Sequence, residues 1–209
     1  MTKLFNVLFF IFLCTIAFSQ EFKKISDPSK CKSAIQKQQK LTRSLIADFK
    51  ETLHSEMFEE TQNATGKLYY KQAQKIRWEH ISPVKKILLI DGNKVRYSEK
   101  GKEIKDPSTK AIVKKIQSLM VKMLSGTFLD DKDFKISYYE NSSQYKLELK
   151  PLSQRMSKYI DYVVLVFDKK YLQLKEMSLV ESENEKLVYS FSNALLNNSI
   201  SDIKFSDFK

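Results

Sequence analysis

Residues able to carry proton transfer, metal binding or nucleophilic attack are few in this 209-residue chain. There are two histidines, His54 and His80, and two cysteines, Cys14 and Cys31. His54 stands beside Ser55 and Glu56 and reads as a polar surface residue. His80 follows Glu79 at the end of an alternating stretch and shares parity with Trp78, which puts it at a rim. No Ser-His-Asp spacing, HExxH, phosphate loop or GxGxxG is present, and no CxxC pair offers zinc ligation or thiol exchange. The run Asp130-Asp131-Lys132-Asp133 lacks the alternate oxygens and distal glutamate of a calcium loop and reads as a solvated turn. With no nucleophile–base pair in view, the chain is expected not to be an enzyme and to use no metal and no cofactor.

The N-terminus points to export. Lys3 precedes a fifteen-residue apolar run, Leu4 to Phe18, broken only by Asn6 and Thr15. It ends in Ala17-Phe18-Ser19, with small residues at −3 and −1 of a cut after Ser19, the pattern of a secretory signal peptide. The run is too short for a helical span, which needs about 20 residues. Phe12-Leu13 before Cys14 is too bulky for a lipoprotein signal, so lipidation is not expected. Residues 20–209 then form one domain, long enough to bury a core unaided.

Net charge is +11, carried by 36 Lys and Arg against 25 Asp and Glu. Only Arg43, Arg77, Arg96 and Arg155 are arginine, and the lysines interleave with acids. Nucleic-acid readers favour arginine forks and stacked aromatics, so no nucleic-acid partner is expected. A solvated surface with mild affinity for anionic membranes or acidic partners fits better. Cys31 has no partner for a disulfide once Cys14 is removed with the leader.

These residues need a scaffold, and the periodicity predicts a β-dominated one. From Lys32 to about Leu53, Ile35, Leu41, Leu45, Phe49 and Leu53 recur at four- and six-residue steps, predicting an amphipathic helix. Period two begins at Gly66: strands are expected over 67–71, 75–80 and 86–90, a tight turn at Asp91-Gly92, then a strand over 93–97. Asp106-Pro107 opens a second helix carrying Ile112, Ile116, Leu119, Met120 and Met123 and ending at Gly126. Further strands are expected over 134–140, 144–150, 159–168, 172–181 and 186–193, with a terminal piece over 204–208. Tyr162, Val164 and Val166 share one face of their strand and Val163, Leu165 and Phe167 the other, so both faces should be covered. The fold class is α+β: about ten antiparallel strands curling into an incomplete, half-open barrel, with helices lying as a lid over a hydrophobic cavity.

The run Gly66-Lys67-Leu68-Tyr69-Tyr70-Lys71, then Ile76-Arg77-Trp78, Pro83 and Ile87-Leu88-Leu89-Ile90-Asp91-Gly92 resembles the core pattern of the LolA family of periplasmic lipoprotein carriers. The chain end, Tyr189-Ser190-Phe191-Ser192-Asn193 with Asn197 or Asn198, Ile200 and Phe205, is similar to the family's closing signature. Phe49 also falls where the family places a phenylalanine in its first helix. The resemblance implies a half-open barrel whose cavity shields the acyl chains of lipoproteins. It implies, too, cargo received from an inner-membrane ABC-type transporter and carried by a monomer to an outer-membrane acceptor. One departure stands out: Gln72-Ala73 occupies the place where family members often have Arg-Pro, the arginine latching the lid, so no latch residue is carried over.

For such a task the cavity should be aliphatic and aromatic, without polar clamps. The expected acyl-binding residues are Leu45 and Phe49 from the first helix, and Leu68, Tyr70, Ile76 and Trp78 from the strands. Ile116, Leu119, Met120 and Met123 are expected from the lid, where methionine adapts to variable shapes. The alternative is a periplasmic regulatory module of the same fold that senses lipid or lipoprotein, although such proteins usually carry a second domain. The leader makes the first prediction: intact mass of the exported protein should correspond to a chain starting at Gln20, and an acylated or uncut species would contradict a soluble carrier.

Overall fold

The computed structural model describes residues 21–58, 60–72, 74–106, 121–123, 127–130 and 132–208, without the side chains of Asp130 and Arg155. The leader and Ile112, Ile116, Leu119 and Met120 lie outside the described residues; of the second helix only 121–123 is described, and it is helical. In chain order the elements are β1 (Lys23–Lys24), α1 (Ser29–Leu41), β2 (Ser44–His54), β3 (Gln62–Lys71), β4 (Lys75–Ser82), β5 (Lys86–Asp91), β6 (Lys94–Glu99) and β7 (Lys102–Glu103). Then come β8 (Phe134–Glu140), β9 (Gln144–Pro151), the short α2 (Gln154–Ser157), β10 (Tyr162–Asp168), β11 (Leu174–Val180) and β12 (Lys186–Leu196).

The twelve strands of the described residues form one antiparallel sheet in the order β1-β8-β9-β10-β11-β12-β2-β3-β4-β5-β6-β7. Two meanders, β2 to β7 and β8 to β12, are thus stitched together where β12 pairs with β2. The sheet does not close, since β1 and β7 are its two edges. This is the open, β-dominated architecture the periodicity implies. Most expected strands lie where period two places them, and the Asp91-Gly92 turn joins β5 to β6 with Gly92 at φ +57°.

Three expectations are corrected. The helix expected from Lys32 to Leu53 ends at Leu41: Thr42 hydrogen-bonds back through its N–H to the Gln38 and Gln39 carbonyls and through Oγ1 to Gln38, and β2 follows at Ser44. Leu45 and Phe49 therefore lie on a strand. A four-residue step keeps one face in a helix and, being even, also in a strand, so the spacing did not discriminate. The 204–208 strand is instead a 3-10 turn, Asp202–Phe205. Finally, β10 is buried through Val163, Leu165 and Phe167 on one face, while on the other Val166 is buried and Tyr162 and Val164 are only half-buried. Cross-strand neighbours of the two valines there are Lys146, Glu148, Glu176 and Ser178.

The inner face holds the main core, which includes Phe49, Leu68, Trp78, Leu147, Leu165 and Phe167. A second apolar layer forms on the outer face of β4 and β5, where Ile87 and Leu89 are buried along with Ile200 and Phe205 of the C-terminal segment. Arg77, only 1% exposed, fastens that segment. Its Nε donates to Glu79 Oε2 at 2.8 Å, and Nη1 donates to the carbonyls of Lys204 at 3.3 Å and Asp207 at 2.5 Å. Burial alone would raise the Glu79 carboxyl, but the Arg77 hydrogen bond and charge outweigh it and hold it below its ordinary value. Nearer solvent, Arg96 donates to the Ser206 carbonyl at 2.7 Å, forks onto Glu103 and lies 4.5 Å over the Phe208 ring. Removing a buried cation strands its partners, so Arg77→Ala should cost about 3 kcal/mol in urea unfolding. Arg96→Ala, at an exposed site, should cost under about 1 kcal/mol.

Candidate functional site

Alternation on each strand delivers one apolar set to the inner face. Leu45, Ala47 and Phe49 of β2 pair with Tyr70, Leu68 and Gly66 of β3, which in turn face Ile76, Trp78 and His80 of β4. The aromatic rings interlock: Phe49 lies 5.0 Å from Trp78, and Trp78 meets Tyr189 at 5.0 Å and Phe191 at 6.1 Å, both edge-on. Gly66 is what lets Phe49 lie there. A Cβ at this position would fall inside contact distance of the Phe49 ring and of the Glu79 carbonyl.

Helix α1 covers this face with two buried side chains, Cys31 and Ile35. Burial, aided by Glu140 and opposed by Lys169, pushes the Cys31 thiol up to about 11, so it is a packing residue rather than a nucleophile. Between α1 and the sheet remains a space of about 50 Å³. Leu45, Leu68, Tyr70 and Met123 all line it, joined by Phe191 and Leu196. That is far below the roughly 300 Å³ at which small-molecule pockets begin. A larger groove, about 510 Å³, lies on the outer face around Asp48, Lys50, Lys67 and Ser192. There Lys67 and Asp48 pair at 2.6 Å, and Phe49, Ile81 and Phe191 also border the groove.

Of the expected acyl-binding residues, Phe49, Leu68, Tyr70, Ile76, Trp78 and Met123 are buried and Leu45 is half-buried, all in this one region. Burial raises the Tyr70 hydroxyl above its usual range. Ile116, Leu119 and Met120 are outside the described residues. Met57, 84% exposed, belongs to a loop and not to any apolar face.

The sequence reading missed Glu51. It shares the inner face with Phe49, accepting hydrogen bonds from His80 Nε2 at 2.7 Å and from the Tyr189 hydroxyl. Burial works to raise its carboxyl, but these bonds, with His80 and Lys86 nearby, leave it below the ordinary value. Tyr189 is pushed well up by burial and by the Glu51 charge. Once β2 is known to be a strand, the parity of Glu51 with Phe49 is the signal that places it inside.

The model of the family described as outer membrane lipoprotein carrier protein LolA matches residues 40–207. The chain belongs to the LolA family. Proteins of this family are periplasmic and bind lipoprotein or lipid partners. No curated protein matches the chain in sequence. Among solved structures it is similar to a LolA superfamily protein of Nitrosomonas europaea, at 10% identity and TM-score 0.43 over 84% of this chain and 97% of that one. An outer membrane lipoprotein-sorting protein domain of Vibrio parahaemolyticus aligns at 9% identity and TM-score 0.42, over 86% and 97%. MucB in the Pseudomonas aeruginosa MucA/MucB complex aligns at 8% and 0.42, over 84% and 60%. Among the described residues no helix is long and apolar enough to cross a membrane.

The Phe49–Gly66 contact yields a prediction. In Gly66→Ala the added methyl meets backbone as well as ring, so neither neighbour yields cheaply. Overpacking of this kind should destabilise by about 1–3 kcal/mol, read as a lower urea midpoint at unchanged slope.

Proposed function

We propose that this LolA-family chain is a periplasmic carrier that encloses the acyl chains of lipoproteins against its inner sheet face and moves them between membranes. It is exported with cleavage after Ser19, takes cargo from an inner-membrane ABC-type transporter, works without chemistry of its own and delivers to an outer-membrane acceptor.

One observation carries the reading: beside the buried Met123, Phe128 and Leu129, the apolar face is covered by a helix, α1, that commits very little to it. Only Cys31 and Ile35 of the thirteen α1 residues are buried, and the rest of the helix is mainly Lys and Gln. Lifting such a cover withdraws only two side chains of the helix itself from the core. An acyl chain entering in its place gains about 0.8 kcal/mol per buried methylene. Those two quantities, a small cost and a large gain, let cargo displace the cover and leave no residual chain space when cargo departs. The Tyr70 hydroxyl apart, the described face between Leu45 and Phe49 on β2, and across to Ile76 and Trp78, presents no polar group to an incoming chain. Release is then governed by area and not by specific hydrogen bonds.

Leu45 tests this. It is half-buried beside the 50 Å³ space, so Leu45→Glu can turn its carboxylate to water in the empty protein. With a chain bound, that charge would sit in hydrocarbon. Wild type should bind a fluorescent fatty-acyl probe, and Leu45→Glu should bind at least about tenfold more weakly while melting within a few degrees of wild type. Wild type that takes up no probe, or a variant that binds as wild type does, would sink the carrier reading.

A further inference from the structure

The inner face is apolar over most of its length and then abruptly polar along one line. Tyr189 of β12 stands opposite Glu51 of β2, His80 of β4 opposite Lys86 of β5, and Lys86 opposite Glu99 of β6. Between them, β3 contributes only Ala64 and Gly66, with a register shift at Thr65/Gly66. That small stretch leaves room for Glu51 and His80 to meet over the intervening strand at 2.7 Å. The result is a transverse row of polar side chains running across the sheet.

From Glu51 back to Leu45 is six residues of β2, about 20 Å at roughly 3.3 Å per residue. That matches the length of a long acyl chain. Lys86 is already matched by Glu99 at 3.9 Å, and the His80 ring is taken up by its hydrogen bond to Glu51. Glu51 and His80 are about one-fifth exposed, and so are partly withdrawn from water without being sealed from it. An ionised carboxylate has about four acceptor positions, and the His80 and Tyr189 donors occupy two of Glu51's.

We propose that this row is a head-group seat which accepts neutral, hydrogen-bond-donating heads, amides or glyceride hydroxyls, and rejects free fatty-acid anions. The proposal rests on the acyl-carrier reading above and adds the class of cargo it admits. A neutral donor head uses the acceptor positions left on Glu51. A fatty-acid carboxylate in the same place meets the Glu51 carboxylate, and the nearby Lys86 is already paired with Glu99. Rejecting loose fatty acids keeps the apolar face for acylated cargo.

The experiment is displacement of a neutral fluorescent acyl-amide probe, in mildly alkaline buffer, by a monoacylglycerol and by the fatty acid of the same chain length. Wild type should prefer the monoacylglycerol by about tenfold or more. Glu51→Gln keeps the shape, loses the charge and should bring the two competitors within about threefold. Glu99→Gln leaves Lys86 unmatched and should also favour the fatty acid. Tyr189→Phe keeps the Glu51 charge and should keep the preference. Equal displacement by both competitors in wild type overturns the seat while leaving the carrier reading intact, and so does an unchanged preference in both Gln variants. If wild type fails to take up the neutral probe, the carrier reading falls and the seat with it.

Discussion

The close approach of the Phe49 ring to the Gly66 backbone is the constraint on which the inner face depends. β2 is the strand that joins the two meanders, and Phe49 sits where it must pair with Phe191 on one side and β3 on the other. Because position 66 has no side chain, the ring lies flat across β3 and reaches Trp78 and His80. Any larger residue would lift the ring, separate β2 from the Trp78 cluster and open the centre of the sheet. Gly66 is required here for room, not for a special φ.

Around that centre the two faces are built with different rigidity. On the outer side, Arg77 ties the C-terminal segment down through two backbone carbonyls and Glu79, and Ile200 and Phe205 are buried with it. On the inner side, α1 contributes two buried side chains out of thirteen. Of the elements on the inner face, α1 holds by few buried contacts, and local opening follows the least buried contacts. Such an asymmetry suits a protein that must expose one apolar face without losing its fold.

Glu51 is the most interior carboxylate of the polar row that crosses the inner face. Burying a carboxylate is unfavourable unless hydrogen bonds replace its water, and here His80 and Tyr189 supply them. The position of that row on the inner face is fixed by the register of β2, β3 and β4.

Much of this protein was legible before its structure. Alternation of two with turn residues determined most of the strands, the scarcity of His, Cys and catalytic spacings left no visible chemistry, and the motifs around Trp78 and Phe191 pointed to the family. These are local or ordered features, and local sequence carries them. Tertiary structure decided whether residues 44–54 are helix or strand, because apolar residues four apart satisfy both periods and only pairing with β3 and β12 breaks the tie. It also decided that the C-terminal segment turns back over the outer face, held by Arg77, and that Glu51 and His80, 29 positions apart, share one hydrogen bond. Contacts of that kind depend on register between strands distant in sequence, and no single stretch of residues encodes it.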